Sequence, residues 1–72
     1  MTTPYLTHES LETVAAHIAE HGETSVGELV AVIAMNGQTR LMDWMVLADL
    51  TAAGYTVRMV DVGRRRVPMV AK

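Results

Sequence analysis

The sequence contains no cysteine and no phenylalanine, and its aromatic residues are one tryptophan and two tyrosines. Without cysteine there are no disulfide staples, no thiolate metal ligands and no cysteine nucleophile, a usage that fits a reducing, cytoplasmic setting. Without phenylalanine the core must be aliphatic, with methionine filling irregular gaps. No apolar run reaches the roughly 20 residues needed to span a bilayer. The start, Met1-Thr2-Thr3-Pro4-Tyr5, lacks the basic segment of a secretory signal. The 72 residues make one domain, 1–72, with 1–6 expected to be a flexible lead-in. A chain this short buries only about 60% of its unfolded surface, so modest stability is expected.

Positive charge is scarce over most of the length. Residues 1–54 carry a single cation, Arg40, against seven acids. Residues 55–72 carry Arg58, Arg64, Arg65, Arg66 and Lys72 against Asp61. A basic end on an otherwise acidic chain points towards a polyanion. Three adjacent arginines carry the strongest functional signal.

What is present reads as helices followed by strands. Thr7 is placed to cap a first helix over residues 8–21, with Leu6 and Leu11 as a hydrophobic staple. Leu11, Val14, Ala15 and Ile18 form its apolar stripe, and His21-Gly22 ends it. Ser25-Val26-Gly27-Glu28 is a capping box that opens a second helix over 26–35, with Val26, Leu29, Val30 and Ile33 inward. Asn36-Gly37 stops it. A third helix is expected from Thr39 to Ala53, with Val46, Leu47, Leu50 and Ala53 inward and Gly54 as terminator. The period then changes to two, with Tyr55, Val57 and Met59 on one side and Thr56 and Arg58 on the other. Residues 61–65 read as a hairpin loop, and Arg66 to Ala71 as the returning strand. Pro68 cannot donate to a ladder, so its nitrogen should meet an open edge. Glu23-Thr24 is a candidate for a minor third strand.

Few residues suggest chemistry. His17 and His21 share a helix face, but no third ligand sits at a zinc-site spacing, so neither a metal nor another cofactor is expected. Ser10, Ser25, Thr39 and Thr51 have no base and orienter at any motif spacing. The glycines form no phosphate-cradling loop. No catalytic residue can be nominated, and an enzyme is not expected.

The order helix, helix, turn, helix, hairpin predicts an α+β domain with a C-terminal two-stranded β-hairpin. Thr24-Ser25-x-x-Glu28-Leu29, the Asn36-Gly37 turn and Leu47-x-x-Leu50-x-x-x-Gly54-Tyr55 resemble a winged helix-turn-helix domain. Length and the basic hairpin are similar to those of small bacterial fimbrial-operon winged-helix regulators. The resemblance covers residues 10–71. It implies double-stranded DNA as partner and a role as transcriptional regulator or accessory factor. In it, the start of helix 3 approaches base edges with Gln38, Thr39, Arg40 and Trp44, while Arg64, Arg65 and Arg66 hold phosphates from the wing.

Helix 3 departs from that pattern. Leu41, Trp44, Met45 and Ala48 lie towards its outward side, where polar residues normally stand. Asp43 and Asp49 repel phosphate. An apolar stripe rimmed by charge fits a protein interface, with Trp44 as anchor. The alternative is therefore an interaction module, such as a phage- or plasmid-type inhibitor of host machinery. A homodimer paired through helix 3 or helix 1, with two wings on one duplex, reconciles the two expectations.

Overall fold

The computed structural model describes residues 4–72. It is an α+β domain of three helices and one antiparallel sheet: α1 (His8–His21), β1 (Thr24–Ser25), α2 (Val26–Met35), α3 (Asp43–Ala52), β2 (Thr56–Val62) and β3 (Arg65–Ala71). The expected lead-in at 1–3 lies outside the described residues. Among those described, no helix is long and apolar enough to cross a membrane.

Local chemistry sets the ends of α1 and α2. Thr7 Oγ1 accepts from the Ser10 N–H at 3.1 Å, and Ser25 Oγ accepts from the Glu28 N–H at 3.2 Å. Each satisfies an orphan donor of a first turn. The capping box is only half closed, because the Glu28 carboxylate turns to His17 Nε2 on α1, 2.9 Å away. α2 ends in a Schellman motif. The Gly37 N–H donates to the Ala34 carbonyl and the Gln38 N–H to that of Ile33. Gly37, at φ 110°, supplies the left-handed residue this motif requires.

α3 starts four residues later than expected, at Asp43 rather than Thr39. Arg40 has φ 66°, which no helix accommodates, and Met42 precedes the helix without a side-chain cap. Its C-terminus repeats the Schellman pattern through Gly54 and Tyr55.

The core is aliphatic, as the composition requires: Leu6, Val14, Ile18, Val26, Leu29, Ile33, Val46, Leu50 and Val70. Burying each such side chain contributes roughly 1.5–3 kcal/mol relative to leaving it exposed. Three expectations change. Leu6, assigned to the loose lead-in, is buried, and its N–H donates to Asp49 Oδ2 at 2.7 Å. On α1 the innermost row is Ser10, Val14 and Ile18, with Leu11 at the margin and Ala15 exposed. Ser10 can face inward because its hydroxyl is hydrogen-bonded. On α3, Val46 and Leu50 are buried and Leu47 half-buried, but Ala53 is exposed past the helix end.

The sheet order is β1-β3-β2, all antiparallel, so the C-terminal hairpin gains a third, two-residue strand. That strand is Thr24–Ser25, one residue beyond the expected Glu23-Thr24. It covers only Val70 and Met69 of β3, and Pro68 lies just beyond its reach, opposite Met59 of β2. Glu23 and Arg58 form a two-point ion pair across the sheet, with Nη2 2.6 Å from Oε1. This hydrogen-bonded pairing holds the Glu23 carboxyl below its ordinary range and raises Arg58.

Candidate nucleic-acid interface

The basic end of the chain forms the free tip of the β2–β3 hairpin. The strands run further than expected, to Val62 and Arg65, so the loop shrinks to Gly63-Arg64. Gly63, at φ 62°, is the first central residue of this two-residue turn, the arrangement of type II′. Arg64 therefore stands in the turn itself. Arg65 and Arg66 are strand residues opposite Val62 and Asp61, so their side chains leave opposite faces. All three are exposed. Arg66 Nε lies 3.4 Å from Asp61 Oδ1, with both side chains largely in solvent. Such a surface pair contributes little and leaves the guanidinium free to change partner. Among the described residues no acid pairs with Arg64 or Arg65. From β2 and β3 only Val70 is fully buried, so the tip stands clear of the helices.

The residues expected at the start of helix 3 sit differently. Gln38, Thr39 and Arg40 belong to the α2–α3 connection, not to a helix. Gln38 is committed within the chain. Its Oε1 accepts from the Thr7 N–H at 3.1 Å, from Thr7 Oγ1 and from Ser10 Oγ, and its Nε2 donates to the Tyr5 carbonyl at 2.6 Å. With Oε1 fully occupied, the amide cannot make a bidentate contact with a base edge. The cause is the Schellman motif, which fixes Gln38 immediately after the glycine turn. Thr39 and Arg40 remain exposed.

Trp44, in the first turn of α3, is 57% exposed. It meets Tyr5 edge-on, with ring centroids 5.3 Å apart at 81°. Met42 beside it is also exposed, and so is Ala48. Leu41 instead packs against the core, and Met45 is half-buried. The outward apolar face is thus smaller than the sequence suggests, and Tyr5 and Met42 join it. Nothing local in the sequence pairs Tyr5 with Trp44.

No family model matches this chain, and neither a curated protein nor a solved structure does.

The two histidines on α1 stack with ring centroids 4.5 Å apart, and His17 bonds to Glu28. Among the described residues no group of three or more histidines and acids is arranged to hold a metal ion.

Arg40 is the one non-glycine residue with positive φ among those described. A left-handed L-residue costs roughly 1–2 kcal/mol, and glycine's extra chain entropy costs about 0.5–1 kcal/mol. Arg40→Gly is therefore expected to hold or raise stability by up to about 1 kcal/mol, read by thermal melting. A clear loss of stability would show that the arginine side chain itself anchors the loop.

Proposed function

We propose that this chain is a small winged-helix protein that binds double-stranded DNA through the arginine tip of its β2–β3 hairpin. In the cytoplasm it would act as a transcriptional regulator or accessory factor. The carrying observation is the cluster Arg64, Arg65 and Arg66 at an exposed, projecting turn, with a single weak ion pair among them. The order of elements and the short β1 strand beside the hairpin are in keeping with that reading.

The contacts follow from the side chains. A narrow hairpin with guanidiniums on both faces suits two phosphate rows or the walls of one groove. Base reading rests on Thr39 and Arg40 in the connection. α3 itself carries no cation, and Asp43 opens it. Affinity should therefore be mostly electrostatic and weakly selective. The test is a fluorescence-anisotropy titration with random-sequence duplex at 50 and 200 mM salt. Binding that falls steeply with salt is expected. No binding at the lower concentration, where counterion release favours association most, would overturn the proposal.

A second reading is favoured by Tyr5, Met42 and Trp44, an exposed aromatic and thioether patch of the type that anchors protein partners. The two readings use different surfaces. Trp44→Ala should change DNA affinity by less than about three-fold if the hairpin carries binding, since stacked aromatics contribute only where they contact a base. A loss matching that of an arginine variant would place α3 on the duplex.

A further inference from the structure

β2 is the outer strand of the sheet, and among the described residues nothing pairs with its free edge. Proteins guard such edges with proline, bulges, short length or outward charge. β2 is seven residues long and has no proline, and its register with β3 runs unbroken from Thr56↔Ala71 to Val62↔Arg65. Its two charges are both turned inboard. Arg58 crosses the sheet to Glu23 beside β1, and Asp61 faces Arg66 on β3. Val57, Met59 and Val62 are left exposed between unpaired backbone groups, Met59 at 47%.

We infer that this edge pairs with the same edge of a second copy, joining two sheets into one of six strands about a two-fold axis at Met59. A two-fold contact is self-complementary, and neighbouring side chains must share a face. With the axis at Met59, Arg58 faces Val60 of the partner subunit, and Asp61 faces Val57 of the partner subunit. Moving the axis to Arg58 sets two guanidiniums opposite each other. Moving it to Val60 brings the two Asp61 carboxylates, each in only a loose contact with Arg66, onto one diagonal, whereas the Met59 axis places on that diagonal the two Arg58 guanidiniums, each already neutralised by Glu23.

The same register sets the spacing of the arginine tips. Gly63 and Arg64 lie level with each other in the turn, so eight residue steps separate the two Arg64 positions along the paired strands, about 27 Å at the usual antiparallel rise. A duplex lying along the joined edge would meet arginines at two symmetric points. This spacing argument rests on the nucleic-acid reading, whereas the pairing itself rests on the strand.

The absence of native cysteine allows a clean test. In the paired edge the two Met59 Cα atoms lie about 4.5–5.5 Å apart, within disulfide reach, whereas the Val62 positions lie about 20 Å apart. Under mild oxidation Met59→Cys should give disulfide-linked dimer at least ten-fold in excess of Val62→Cys, although Val62 is the more exposed of the two. Light scattering on the unsubstituted chain should give twice 7.9 kDa at concentrations near 0.1 mM. Equal cross-linking of the two variants, or the monomer mass at that concentration, overturns the pairing. A monomer that still binds DNA with a steep salt slope removes the pairing and leaves the nucleic-acid reading intact. A dimer that cross-links at Met59 and ignores DNA supports the pairing and removes that reading.

Discussion

Converting Arg64, Arg65 and Arg66 together to alanine is expected to remove most of the salt-sensitive affinity for duplex DNA. Each neutralised phosphate adds about 0.9 to the slope of log affinity against log salt. If each of the three arginines holds one phosphate, the parent chain should lose roughly 40-fold more affinity than the variant between 50 and 200 mM. The loss should be similar for every duplex sequence, because phosphates carry no sequence information. The fold should not change, since all three side chains are exposed and the one ion pair involved is weak. Surface changes of this kind stay within about 0.5 kcal/mol. A variant with parent affinity and parent slope would eliminate the hairpin as the binding element. The remaining cations do not replace them: Arg40 and Lys72 lie away from the tip, and Arg58 is already bound to Glu23.

The second large effect concerns stability, at Gln38. Gln38→Ala is expected to cost about 2–3 kcal/mol, from four hydrogen bonds at about 0.5–1.5 kcal/mol each that do not add fully. The Ser10 hydroxyl, buried at the core-facing row of α1, would lose an acceptor. At roughly 4–8 °C per kcal/mol for a domain of this size, the melting temperature should fall by about 10 °C or more. The single tryptophan makes the cause visible. Gln38 ties down the segment that carries Tyr5, and Tyr5 rests on Trp44. Trp44 emission should therefore change at temperatures where far-ultraviolet dichroism still reports intact helices. Gln38→Glu keeps the acceptor oxygens and loses the donation to the Tyr5 carbonyl, so it should fall between parent and alanine. A melting temperature unchanged in Gln38→Ala would mean that the latch does not hold the segment in solution.

Much of the fold was legible because its signals are local. Thr7, Ser25 with Glu28, and Asn36-Gly37 mark α1 and α2 within a few residues of the bonds they make. The switch to period two after Gly54 marks the hairpin in the same way. The start of α3 was not legible, because contacts some 30 residues away decide it. Gln38 is drawn to Tyr5, Thr7 and Ser10, and Arg40 takes a left-handed turn that no neighbour announces. The same distance explains why Gln38 reads as a base contact. The amide that can read adenine can equally latch a backbone carbonyl, and its neighbours in sequence do not say which. Ser10, absent from the expected apolar stripe of α1, faces inward for a like reason, since its acceptor lies on another segment. The arginine tip was legible as composition, but its splayed geometry needed the register that sets Arg65 against Val62 and Arg66 against Asp61.

The hairpin touches the core only at its root, through Val70. From Val60 to Arg66 no side chain is fully buried. This outer stretch of the hairpin is therefore an exchangeable cartridge. Its length, charge and turn residues can drift or be grafted while the helical body stays the same. Rewriting about seven residues would change what the tip presents to solvent without touching the buried side chains that hold the fold together.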